Sequence, residues 1–203
     1  DRLNEDRLSA AILVGVPGSA KSALAAAAHN EADCECLRWD LGGAKDSLVG
    51  SSEKRIRNML KVCDAMCGGH ILILATANSL QNVPSPIISR FALGTYFFNT
   101  PTEDEGKSIW KLKRKKYGIP DEEPNPTTDP WSGREIQQCC FIADDLRIPL
   151  AEAAKYITPY FSTNSKELDS LRNQAHNRWL SASHPGFYKK PLETAATGRR
   201  ISV

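Results

Sequence analysis

Residues 11–22 read AILVGVPGSAKS, an apolar run that breaks into a turn of glycine, proline and serine and ends on a lysine and a hydroxyl. The apolar part has the composition of a strand covered on both faces. The alanine-rich stretch SALAAAAHNEA that follows predicts a helix beginning at Ser22. Strand, glycine turn and helix in that order make a cradle for phosphate: backbone N–H groups turn inward, and the helix adds the positive end of its dipole. Gly15, Pro17, Gly18, Ser19, Ala20, Lys21 and Ser22 are the candidate phosphate-loop residues. Lys21 is placed to reach the outer phosphates of a nucleoside triphosphate, and Ser22 to offer its hydroxyl to Mg²⁺. Ala20 stands where the pattern G-x-x-x-x-G-K-[ST] has its last glycine. A methyl group is tolerable there if residue 20 has helical dihedrals, because only glycine adopts a positive φ without steric cost.

The rest of the chain supplies the setting. CECLRWD (34–40) predicts a second strand ending at Asp40, SSEKRIRNMLKVCDAM a helix, and HILILAT (70–76) a buried strand. A short helix is expected over residues 84–91 and a strand over GTYFFNT (94–100). Strands alternating with helices indicate an α/β fold with a parallel sheet covered on both faces. After Pro101 the pattern turns helical: TEDEGKSIWKLKRKKYG has an acidic start and a basic end, as the helix dipole favours. IPDEEPNPTTDP reads as a linker, and three helical stretches follow it. No strand signal is visible beyond residue 101. The expected organisation is a P-loop α/β core over 1–101, a small all-helical lid over 102–191 and a polar tail over 192–203.

With 203 residues, 41% hydrophobic and 25% charged, the chain has ordinary globular composition. Its net charge of +2 gives no global bias toward nucleic acid or a membrane surface. KLKRKK is read as a solvated helix end beside buried Ile109, Trp110 and Leu112, with nucleic acid as the competing partner. No apolar stretch is long enough to span a bilayer. No basic-then-apolar leader opens the chain, so a cytoplasmic location is expected. The chain begins at Asp1 rather than Met, as a fragment would. The six cysteines fall as Cys34/Cys36, Cys63/Cys67 and Cys139/Cys140. They lack zinc spacing and are read as small, half-buried thiols.

Taken with the phosphate loop, these segments resemble an AAA+ ATPase, one of the ring-forming P-loop machines, of a compact phage or prophage type. GVPGSAKS resembles that family's GPPGTGKT, and SLVGSSEKRIRNML its pore loop and following helix. ILILATANSLQNVPSPIISRF resembles the sensor strand and the helix that ends in Arg-Phe, and FFNTPTEDEGKSIWKLKRKKYGI and WSGREI resemble parts of the lid. The resemblance implies ATP and Mg²⁺ as cofactors and a homo-oligomeric ring that remodels a protein substrate. It implies catalytic roles for Lys21, Asn78 and Arg90: Asn78 orients the attacking water, and Arg90 enters a neighbouring subunit's site. It places Leu48 and Val49 in the pore loop, and Gly133, with Trp131 and Arg134, near the adenine.

One family feature is missing from its expected place. A strand ending in Asp-Glu normally precedes the sensor strand, yet here the helix ending at Met66 runs through Gly68-Gly69 into HILILATAN. Three accounts stay open: the segment is lost and hydrolysis is poor, Asp40 stands in as the metal partner, or the sheet is rearranged around residues 70–76. The leading functional expectation is an ATP-dependent remodelling enzyme. The alternative is a nucleotide-gated scaffold without turnover, and a weaker third is a DNA-associated ATPase.

Overall fold

The computed structural model describes residues 9–32, 35–41, 58, 61–62, 71–81, 83–127 and 131–191. The expected pore-loop residues Leu48 and Val49, most of the helix over 51–66, Cys34, Cys63, Cys67 and the tail over 192–203 lie outside them.

Among the described residues, five parallel strands form one sheet in the order β2-β3-β1-β4-β5. They are β1 (Ser9–Gly15), β2 (Glu35–Asp40), β3 (Ile71–Ala77), β4 (Thr95–Phe98) and β5 (Leu180–Ser181). β1 is buried at every position, as its unbroken apolar sequence demands. Side chains alternate between faces along each strand, which divides the apolar residues into two layers. Ala11, Leu13, Leu72, Leu74 and Cys36 face α1 (Lys21–Ala32), where they pack with Ala25 and Ala28. Ile12, Val14, Ile73, Ala75, Phe97, Trp39 and Leu41 face the other way, onto Ile87 of α2 (Ser85–Ile88) and onto the last helices of the chain.

The lid begins with α3 (Glu103–Tyr117). Its entry is a capping box: the Thr102 hydroxyl accepts from the Glu105 N–H at 3.3 Å, and the Glu105 carboxylate accepts from the Thr102 N–H at 2.7 Å. Gly118, at φ 67°, ends the helix in a left-handed cap. α4 (Gly133–Leu146) begins on a second capping box, Ser132 with Glu135. Trp110, Trp131, Ile136, Cys139, Cys140, Leu150 and Ile157 build the lid's own core, with α5 (Leu150–Ala153) and a 3-10 turn over Ala154–Tyr156. Burial pushes the Cys139 thiol up to about 12 and Cys140 to about 11, so both are inert packing groups.

The basic run of α3 divides by residue. Arg114 is buried; it donates to the Pro120 and Asp121 carbonyls and to Asn125 Oδ1 at 2.8 Å, and lies 5.8 Å from the Trp110 ring centroid. It is a clamp for the linker. Leu112, expected to be buried, is 63% exposed and lines the mouth of a cleft.

After Ile157 the chain returns to the sheet. Phe161 of α6 (Tyr160–Thr163) and Leu168, Leu171 and Ala175 of α7 (Ser165–Ala175) join the core cluster of β1 and β3. Tyr188 meets Phe97 edge-on at 4.7 Å. β5 then pairs with β4, so a strand does form beyond residue 101, and Phe161, Leu168, Leu171, Ala175 and Tyr188, within the lid span expected over 102–191, pack in the sheet's core cluster. The strand is two residues long, too short for any alternation to be read.

Candidate functional site

In a parallel sheet the carboxyl ends of all strands share one edge, and ligands bind there where the order of strands reverses. β1, β2 and β3 end at Gly15, Asp40 and Ala77 on that edge. The phosphate-loop residues bridge β1 to α1, and beside them a cleft of about 710 Å³ opens toward the lid, a volume within the range of nucleotide-sized sites. From the core it is lined by Pro17 through Ala23, Asp40, Thr76, Ala77 and Asn78. From the lid it is lined by Ile109, Leu112 and Lys113 of α3 and by Gly133, Arg134 and Gln137 of α4.

The two glycines of the loop are required for different reasons. A Cβ on Gly15 would sit 2.3 Å from the Phe98 carbonyl oxygen, so Gly15 lets β4 close against the end of β1. Gly18 has φ 83°, and a Cβ there would lie 2.7 Å from Ser132 Oγ and 3.0 Å from Arg134 Cβ. Gly18 thus lets the lid touch the loop. Ala20 differs from its sequence expectation. Its φ is 68°, left-handed rather than helical, at a cost of about 1–2 kcal/mol for a residue with a Cβ.

Lys21 is buried, and its ammonium donates to the Gly15 carbonyl at 2.7 Å, the Val16 carbonyl at 2.8 Å and Ser19 Oγ at 3.5 Å. Burial, with the Arg134 guanidinium opposite, lowers its pKa to about 8; Asp40 pulls the other way. The Arg134 side chain makes no hydrogen bond or ion pair among the described residues, and as the second residue of α4 it opposes the helix dipole. Lys113 donates to Gln137 Oε1 at 2.8 Å across the two lid helices. Lys21, Arg134 and Lys113 therefore face a cleft whose lining, among the described residues, holds one carboxylate, Asp40. A polyanion would relieve this repulsion.

The structure brings Pro17, Gly18, Ser19, Ala20, Lys21, Ser22, Asn78 and Gly133 together on this cleft. It does not bring Arg90, which is exposed just past α2 and lines no part of its own chain's cleft. Trp131, expected near the base, lies inside the lid core with its ring centroid 6.0 Å from that of Trp110. Arg134, expected in the same neighbourhood, packs on the phosphate loop at Gly18. Sequence reasoning missed Thr76, Lys113 and Gln137. Their signal would have been facing: Thr76 is two residues before Asn78 on one side of β3, and Lys113 is one helical turn from Ile109. Among the described residues no group of three or more His, Cys, Asp or Glu could hold a metal alone. The hard oxygen donors Ser22, Thr76 and Asp40 do fit Mg²⁺ that arrives with a phosphate.

Sheet order, loop and cleft define a P-loop NTPase fold of the AAA+ type. The sequence model of the AAA family, ATPases associated with various cellular activities, matches residues 11–74. The chain is 26% identical to an uncharacterised AAA domain-containing protein, ycf46, of Gracilaria tenuistipitata var. liui, over 63% of this chain and 35% of that protein. The ycf46 protein of Pyropia yezoensis is 24% identical over 79% of this chain and 44% of that protein. The chain thus spans less than half the length of these curated relatives. Among solved structures, the FIGL-1 AAA domain in complex with ADP superposes with a TM-score of 0.56 at 16% identity, covering 81% of this chain and 76% of that one. A katanin self-assembly structure superposes with a TM-score of 0.56 at 16% identity, covering 80% and 78%. The matches support the AAA-type fold. Among the described residues no helix is long and apolar enough to cross a membrane.

Proposed function

We propose that the chain binds ATP with Mg²⁺ in the cleft between sheet and lid and hydrolyses it as one subunit of an ATP-dependent remodelling assembly. The observation that carries this reading is the convergence of Lys21, Ser22 and Asn78 from the core with Arg134 from the lid on one cleft of nucleotide size. In this reading Lys21 leaves the carbonyls of Gly15 and Val16 for the outer phosphates, and the loop's N–H groups hold the phosphate nearest the helix. Ile109 and Gly133 flank the nucleoside. Asn78, at the end of β3, offers donor and acceptor to the water that attacks the terminal phosphate. Arg90, which is exposed and lines no part of its own chain's cleft, serves a second copy's site, where a cation stabilises transition-state charge. Mg²⁺ supplies neutralisation of phosphate charge, with Ser22 as its protein hydroxyl. A protein substrate fits this reading better than DNA, since Arg114 of the basic run is spent on the linker.

Steady-state phosphate release with Lys21→Ala as the control tests the proposal. Release by the wild type and none by the variant supports it; equal background rates in both remove catalysis.

A second reading, a nucleotide-gated scaffold without turnover, is favoured by the single carboxylate that the described residues place on the cleft. Family members that hydrolyse ATP use one acid for the metal and another for water. It predicts ATP affinity and an ATP-dependent change in sizing with no phosphate release.

A further inference from the structure

We propose that Asp40, on β2, supplies the protein carboxylate to the nucleotide-bound divalent cation; this rests on the ATP-binding reading above. The family resemblance places that carboxylate on a strand immediately preceding the sensor strand in the chain. Here β3, the strand leading to Asn78, has β1 on one side and β2 on the other, so β2 occupies the neighbouring place in the sheet. The pairing is in register to its end: Asp40 lies opposite Thr76, and the ladder continues through the Leu41 N–H to the Thr76 carbonyl at 2.9 Å.

Alternation then decides which way Asp40 points. Trp39 and Leu41 pack in the cluster on the far face of the sheet. Cys36 packs on the α1 face, where its thiol donates to the Ala25 carbonyl at 3.5 Å. Asp40, four residues from Cys36, shares that face with Thr76 and Asn78, at the strand end nearest the start of α1. The electrostatics agree, since Asp40 acts on Lys21 across the cleft. Among the described residues it is the one acidic side chain lining the cleft alongside Ser22. One carboxylate and a hydroxyl suffice, because Mg²⁺ takes its other ligands from substrate phosphates and water and seldom needs a protein cage.

The test compares ATP binding to the full chain by calorimetry in Mg²⁺ and in EDTA, for wild type, Asp40→Asn, Asp40→Cys and the same-face control Arg38→Gln. Wild type and Arg38→Gln are expected to bind ATP in EDTA and to tighten about 10-fold or more with Mg²⁺, the scale on which a site loses metal affinity when a supporting group is removed. Asp40→Asn should keep the EDTA affinity within about 2-fold, or bind tighter for want of an anion beside the phosphates, and should lose the Mg²⁺ gain. Asp40→Cys should lose the gain with Mg²⁺ and recover it with Cd²⁺, a switch that follows thiolate softness and that a merely structural role would not produce. An undiminished Mg²⁺ gain in Asp40→Asn overturns the assignment while leaving ATP binding standing. No ATP binding by a folded wild type in either condition overturns both.

Discussion

Lys21 is held by carbonyl oxygens of its own loop, and a buried ammonium beside a guanidinium pays for its charge in a lowered pKa. A triphosphate reverses that situation, because negative charge within hydrogen-bond range favours the protonated form. The sign follows. The free protein releases the Lys21 proton around pH 8, the bound protein holds it to higher pH, and binding between these values takes a proton up. Titrations of ATP at pH 8.5 in two buffers of different ionisation enthalpy should show net uptake, and affinity should fall as pH rises above 8. Identical heats in the two buffers would contradict the placement of phosphate at Lys21. The same depressed pKa means that Lys21 by itself opposes folding below about pH 8, and that this penalty is relieved between there and its unfolded value of 10.5. Ala20 carries the other residue-level cost. Ala20→Gly releases the left-handed strain, less the extra freedom glycine gains on unfolding, for a net stabilisation of about 0.5–1 kcal/mol and a Tm rise of about 2 °C in a chain this size. A melting curve reads it directly; an unchanged or lower Tm would show that the methyl is accommodated.

At the scale of elements, the joint between α4 and the rest of the molecule depends on Glu135. It is buried, one carboxylate oxygen accepting from the Ser132 N–H at 2.6 Å and the other from the Tyr160 N–H. One side chain thus fixes the start of α4 against the phosphate loop and ties it to the segment that returns to the sheet. Glu135→Ala leaves two inward N–H groups without a partner and should cost about 3 kcal/mol in urea unfolding. Ser132→Ala should cost about 1 kcal/mol, because only the cap is lost. Equal losses in the two variants would place the energy in the cap and not in the tie. This joint also shows how legibility varied with range. The phosphate loop, the helix with an acidic start and basic end, and the strand expected over 70–76 could be read because each signal lies within a few consecutive residues. β5 could not, since its two residues owe their conformation to β4 and to Tyr188 packing on Phe97. The face of Asp40 could not either: it depends on β2 lying beside β3, a fact of sheet order that no local period records. The packing of Arg134 on the loop at Gly18 could not be read either, because it is a contact between residues more than a hundred positions apart.

For the whole molecule, the division of charged groups between cleft and surface bears on how many copies a working site needs. The cleft holds Lys21, Arg134 and Lys113 from one chain, whereas Arg90 stands outside it, exposed, its side chain making no hydrogen bond or ion pair among the described residues. A cation needed for binding would be expected inside, where a ligand meets it first. A cation needed only as charge develops in the transition state can come from elsewhere, and a site completed by a neighbour ties turnover to assembly. Arg90→Ala should therefore leave ATP affinity within about 2-fold of wild type and lower phosphate release by about 10³-fold, the lower range for a cation supplied in trans. Lys21→Ala should instead fail at binding. Mixing the two inactive variants makes the decisive comparison: in a shared assembly, intact Lys21 from the Arg90 variant meets intact Arg90 from the Lys21 variant across an interface, and some activity returns. Restored phosphate release that rises with the concentration of the mixture would support an arginine acting between chains. No restoration, with both variants folded and co-migrating on sizing, would confine Arg90 to its own chain and leave Arg134 as the cation positioned to meet the terminal phosphate.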